Sequence, residues 1–271
     1  MSTSNKPTIG VFDSGVGGLT VLRALVERMA EADYLYFGDT ARLPYGSKSA
    51  ATVAHYATGA TGYLQDQGAE LLVIACNSAT ALAFDEIKAA SRVGVIGVVE
   101  PGAAAAAAAS TTRNVVVLGT EATVSSHAYR RALETRGVAV HEKACPLFVP
   151  LVEEGWVEHP VTEQVARIYL SEAFASGSEN ADVLVLGCTH YPLIKPLLRR
   201  VAPSHVTLVD SAESTAHAVA EQLRIPPQAH DESRKPHLRF FATDSAEKFR
   251  RMGTRFLGQA VEEVLHVDLK E

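Results

Sequence analysis

Short runs of Val, Ile, Leu and Phe alternate along the chain with longer Ala-, Leu- and Arg-rich segments in which apolar residues recur at helical spacing. Unbroken aliphatic runs suit strands buried on both faces, and their alternation with helices marks βα units around parallel sheets. The pattern predicts strands at Thr8–Asp13, Tyr34–Phe37, Leu71–Ala75, Val93–Val98, Asn114–Gly119, Val138–Glu142, Val183–Gly187, Thr207–Val209 and Leu238–Ala242. It predicts helices at Gly18–Met29, Ser49–Gln67, Thr80–Ala90, Thr123–Thr135, Thr162–Ala175, Leu193–Val201, Ser211–Leu223 and Ser245–Phe256. The stretch "PGAAAAAAAS", Pro101 to Ser110, opens with proline and continues in strong helix formers, the composition of a helix start. Its place in the order makes it a crossing from one domain to the next. The polar "RIPPQAHDESRKPH", Arg224 to His237, reads as a surface loop.

An internal repeat is visible within this alternation. "IGVFDSGVGGLTVLRAL" lines up with "VVVLGTEATVSSHAYRRAL", and "LLVIACNSATAL" with "VLVLGCTHYPLI". Two similar α/β halves are expected, each a mainly parallel sheet flanked by helices, pseudo-symmetric about a central cleft. The length of 271 residues accommodates two modest cores.

Composition narrows the function classes. With 25 basic against 31 acidic residues the formal charge is −6, and no Lys/Arg block forms a phosphate-binding footprint. Nucleic acid is therefore not expected as the primary partner. No apolar stretch approaches the roughly 20 residues of a membrane span, and "MSTSNKPT" has no signal-peptide character, so a soluble cytoplasmic protein without a membrane partner is expected. Three cysteines at wide spacings, Cys76, Cys145 and Cys188, argue for a reducing compartment rather than a disulfide framework.

The candidate chemistry gathers at strand ends. In an open parallel sheet the carboxyl ends of strands face the ligand crevice, which places Asp13 and Ser14 of "FDSGVGG" beside a substrate. Glycines 15, 17 and 18 let backbone N–H groups approach an anion, but a dinucleotide fingerprint would need glycine where Thr20 stands. Pro44, Tyr45 and Gly46 lie in the turn-rich "GDTARLPYGSKS", where backbone donors and a phenol can meet a ligand. Cys76 is followed by Asn77, Ser78 and Thr80, and Cys188 by Thr189 and His190.

A zinc site has the right ligand types, but close cysteine pairs are missing. A Cys/His nucleophile needs only one of the thiols. Two thiols in equivalent places suit a symmetric reaction, in which a proton leaves one face of a carbon and another arrives on the opposite face. A thiol's ordinary pKa of about 8.5 leaves both of its protonation states within reach. Asp13 is the expected proton partner of Cys76, and His190 with Glu153 that of Cys188; Cys145 reads as structural.

"VFDSGVGGLTVL", "YFGDTARLPYGSKS", "IACNSATA", "GVVEPG", "LGTEATVSSHAY", "CPLFVPLVEEG" and "VLGCTHYPLI" together resemble the cofactor-independent glutamate racemases of bacteria, from about Ile9 to Gly258. The resemblance implies interconversion of L- and D-glutamate for peptidoglycan precursors, with no metal or other cofactor, in a homodimer. It implies that Cys188 takes the α-proton of L-glutamate and Cys76 that of D-glutamate, with Asp13, Glu153 and His190 in support. The implied substrate contacts are Asp13, Ser14, Tyr45, Gly46, Asn77, Ser78, Thr189 and His190, with Thr80, Thr120 and Thr123 from the same motifs. Ser78 departs from the threonine of many relatives but keeps the hydroxyl.

The resemblance further implies that the chain returns to its first domain, giving residues 1–98 plus 208–271 and a second domain of residues 99–207. Only eight residues precede the first strand's interior, so activation by a cell-wall precursor, which some relatives require, is not expected. A racemase of another amino acid, a binding protein on the same fold, and a second role in gyrase inhibition are the alternatives.

Overall fold

The computed structural model describes residues 6–175, 177–225 and 236–269. Its strands are β1 (Thr8–Asp13), β2 (Asp33–Gly38), β3 (Leu71–Ile74), β4 (Gly94–Gly97), β5 (Asn114–Gly119), β6 (Ala139–Ala144), β7 (Val183–Gly187), β8 (Thr207–Asp210), β9 (Leu238–Ala242) and β10 (Leu265–His266). Its helices are α1 (Leu19–Arg28), α2 (Ala50–Asp66), α3 (Asn77–Ala90), α4 (Val99–Ala109), α5 (Glu121–Ser125), α6 (Ala128–Glu134), α7 (Phe148–Glu153), α8 (Pro160–Ala173), α9 (Lys195–Val201), α10 (Ser211–Gln222) and α11 (Ala246–Leu257).

The strands form two sheets, ordered β10-β9-β2-β1-β3-β4 and β6-β5-β7-β8, and every neighbouring pair is parallel. The run β2-β1-β3-β4 repeats as β6-β5-β7-β8, which is the expected duplication. In both, the strand order reverses between the first and third strands of the unit, where parallel sheets open a crevice at their carboxyl ends. The two cysteines that follow β3 and β7 therefore stand at equivalent switch points.

Side-chain alternation along the strands divides the core into layers. Val115 and Val117 of β5, and Val183 and Val185 of β7, pack with α4 and α6 on the outer face of the second sheet. Val116, Leu118, Leu184 and Leu186 point the other way, into a cluster that also holds Ile9 and Val11 of β1 and residues of α1, α10 and α11. One apolar cluster thus runs through both halves. The opposite face of the first sheet, with Phe12 and Phe37, is covered by α2 and α3. Among the described residues no helix is long and apolar enough to cross a membrane.

Several elements differ from expectation, each for a local reason. The boundary drawn at residue 207/208 falls inside β8, which pairs with β7 and runs on to Asp210. Asp210 ends that strand and caps α10 by accepting from the N–H groups of Ala212 and Glu213, so the crossing lies after it. The segment predicted as one helix at Thr123–Thr135 is two, parted where His127 adopts a left-handed conformation at φ 54°. α7 and β10 were not predicted, and α3 starts at Asn77 instead of Thr80. The core of the predicted Arg224–His237 loop, residues 226–235, lies outside the described residues.

Candidate active site

A cavity of about 200 Å³ lies between the carboxyl ends of the two sheets. Drug-sized pockets start near ~300 Å³, so it suits a ligand of amino-acid size. Cys76 and Cys188, each only 5% exposed, both line it. Their surroundings differ.

Cys76 is the N-cap of α3, and its sulfur accepts from the N–H of Ala79 at 3.4 Å. Ser14 Oγ lies 3.6 Å from the same sulfur. A helix start favours an anion, but burial and the nearby Asp13 carboxylate outweigh it and push the Cys76 thiol up to about 12. Asp13 is itself buried; its Oδ2 accepts from the Gly15 N–H at 2.9 Å while its Oδ1 has no partner. Burial raises the Asp13 pKa against the pull of His190 across the cleft. A Cβ at Gly18 would lie 2.6 Å from Asp13 Cβ, so glycine is what lets α1 begin against this side chain.

Cys188 directly follows β7, and its sulfur lies 3.9 Å from Nδ1 of His190. The other ring nitrogen, Nε2, lies 3.3 Å from Glu153 Oε1. Burial disfavours the imidazolium, but the hydrogen bonds and charges of Cys188 and Glu153 prevail and raise His190 to about 10. The reciprocal effect lowers Glu153, again against burial. Phe256 stands edge-on to the His190 ring, 5.1 Å between centroids. One thiol is therefore held neutral, and the other faces a cationic ring.

The sequence profile of the Asp/Glu/Hydantoin racemase family matches residues 9–219. A glutamate racemase of Koribacter versatilis is 61% identical, the match covering 97% of this chain and 98% of the relative. Among solved structures, a glutamate racemase of Bacillus anthracis superposes with a TM-score of 0.89 at 33% identity, covering 97% and 98% of the two chains. The chain belongs to the Asp/Glu/hydantoin racemase family, among its glutamate racemases. The glutamate racemase of Francisella tularensis in complex with D-glutamate matches at a TM-score of 0.85 and 35% identity, with 98% of each chain covered. The present racemase accordingly shares the two-sheet α/β fold of these isomerases.

Of the residues singled out in this racemase's sequence, Ser14, Tyr45, Gly46, Cys76, Asn77, Ser78, Thr120, Glu153, Cys188, Thr189 and His190 all line the cavity. Three lie off it. Asp13 sits beneath Ser14; Thr80 gives its hydroxyl proton to the carbonyl of Ile74; Thr123 is buried behind Thr120, 3.0 Å between their hydroxyls. Asn77 lines the cavity, but its side-chain amide is engaged elsewhere, accepting from Tyr129 Oη at 2.8 Å and donating to Ser211. Ser78 and Thr120 hydroxyls meet at 2.9 Å, a bond between the halves.

Sequence reasoning missed Leu43, Ser47, Glu121, Pro146, Val149 and Pro150 of the lining, and the buried Asp39. Asp39 accepts from Tyr45 Oη at 2.6 Å, from Thr243 at 2.8 Å and from Arg42 at 3.0 Å, and so fixes the phenol at the cavity wall. The signal for α7 was present: Phe148 and Val152, four apart, are both buried, while Val149 and Glu153, also four apart, both face the cavity. Cys145 is buried with its sulfur 3.7 Å from the Lys143 carbonyl and does not line the cavity.

Proposed function

We propose that the enzyme interconverts L- and D-glutamate without a cofactor, by proton transfer at the α-carbon between Cys188 and Cys76, and so supplies D-glutamate for peptidoglycan precursors in the cytoplasm. The carrying observation is the pair of buried thiols at equivalent strand ends, opening onto one cavity with opposite electrostatic surroundings. Glutamate as substrate is supported by the D-glutamate complex of the Francisella relative.

In the L-to-D direction Cys188, beside the cationic His190, acts as base: the Cα–H bond breaks and an S–H bond forms. Negative charge develops at the α-carbon and its carboxylate. The S–H bond of Cys76 then breaks and a new Cα–H bond forms on the opposite face. The reverse direction starts from the exchanged protonation states, with Asp13 and His190 as the groups that reset them. Which enantiomer meets which thiol follows the resemblance described above.

Among the described residues, the lining contains no lysine or arginine. Substrate carboxylates therefore meet hydroxyls, those of Ser14 and Thr189 among them, and the N–H groups at the start of α3, fixed dipoles of the kind that stabilise developing charge.

Substitution of each thiol tests the proposal. Cys76→Ser and Cys188→Ser are each expected to lose racemisation by at least about 10²-fold, the lower range for a general acid or base. Wild-type turnover in either variant would refute the pairing. Exhaustive treatment with a chelator and a carbonyl reagent is expected to leave the wild-type rate unchanged, and a loss would demand a cofactor.

A further inference from the structure

The turn that carries Cys188, Thr189 and His190 belongs to the second half of the molecule, yet the first half forms its bed. Within the turn, the Cys188 carbonyl accepts from the Tyr191 N–H at 3.1 Å and the His190 carbonyl from the Leu193 N–H at 3.2 Å. The Thr189 carbonyl between them accepts from Thr20 Oγ1 at 2.9 Å, across the interface between the halves.

Thr20 is buried in the first turn of α1. A helical threonine ordinarily gives its proton to a carbonyl three or four residues back. Here Gly17 O, at 3.0 Å, offers that local acceptor, and the same hydroxyl also reaches Thr189 O. Gly17 completes the bed: a Cβ there would collide with Thr189 Oγ1 and stand 2.5 Å from His190 Nδ1. The backbone at Gly17 and the hydroxyl of Thr20 thus bear on the peptide joining the base to its partner imidazole.

We propose that Thr20 is a positioning residue for Cys188 and His190, setting the Thr189 peptide and through it the aim of the Cys188 sulfur at the α-carbon. Thr20 does not line the cavity. Its loss acts on the chemical step more than on substrate binding. The inference rests on the two-thiol reading, with Cys188 as the base toward L-glutamate.

The test compares Thr20→Val, which keeps the shape and removes the donor, with Thr20→Ser, which restores it. Thr20→Val is expected to lower kcat by tenfold or more, as small misplacements of reacting groups do, while KM stays within about twofold. The primary isotope effect is expected to rise with α-deuterated L-glutamate, whose deuteron Cys188 removes, and to fall with α-deuterated D-glutamate. Thr20→Ser should recover most of kcat; both variants should remain folded under assay conditions, with Thr20→Val unfolding at lower urea than the wild type because a buried carbonyl loses its donor.

Unchanged kcat in Thr20→Val, or a lower kcat with both isotope effects unmoved, would overturn the proposal. Cys188→Ser measured alongside separates the two layers. Retained racemisation there removes the two-thiol reading itself, whereas its loss there beside a fully active Thr20→Val removes only the role of Thr20.

Discussion

Glu153 and His190 give the second thiol its character, and pH is the variable that exposes them. His190 is raised to about 10, so its charge persists through neutrality and is lost as pH rises through that value. Glu153→Gln removes one source of the upward shift, so the alkaline limb of kcat/KM is expected to move to lower pH than in the wild type. An unmoved limb would separate His190 from the activity. The same raised pKa stabilises the folded state fully below the ordinary histidine value of about 6.5 and ceases to do so above about 10. The Cys-Thr-His and Cys-Asn-Ser triplets were legible in the sequence because their chemistry is local. The direction of the Asn77 amide was not, since Tyr129 and Ser211 reach it from distant parts of the chain.

At the scale of elements, strands and long helices followed the hydrophobic pattern closely, whereas short or oddly capped helices did not. α3 starts three residues before the position its pattern predicts because its N-cap is Cys76, and cysteine is not among the usual capping residues. That shift explains Thr80, which falls within the helix and turns its hydroxyl back to the strand. α7 carries a proline at position 150 and has only six residues, so its helical spacing repeats just once, in Phe148 with Val152 and Val149 with Glu153. α2, by contrast, starts at a conventional cap: Ser49 accepts from the Thr52 N–H. Ser49→Ala is expected to cost about 1 kcal/mol in urea unfolding, with racemisation unaffected. A change below the error of the unfolding curves would mean that this end of α2 is held by packing alone.

Across the whole molecule, duplication was the most legible feature, because a repeated strand order leaves a repeated sequence. The coupling between the halves was not, since it consists of pairs such as Thr20 with Thr189 and Ser78 with Thr120 that no local pattern marks. The apolar cluster shared by the two sheets predicts that they unfold together. Trp156, the single tryptophan, lies in the second half, so its fluorescence and the far-UV circular dichroism of the whole chain should give coincident urea transitions. Separate midpoints would show that the halves unfold independently. Leu186→Ala, at a fully buried position of this cluster, is expected to lower both transitions together, by about 2–5 kcal/mol.

The central claim is that one thiol removes the α-proton and the other delivers a different one. Its most direct test is wild-type turnover of L-glutamate in D₂O, stopped after a small fraction of conversion. The D-glutamate formed is expected to carry deuterium at the α-carbon while the remaining L-glutamate keeps its proton. D-glutamate that retained the substrate's own proton would mean a single group serving both faces, and would contradict the pairing of Cys76 with Cys188.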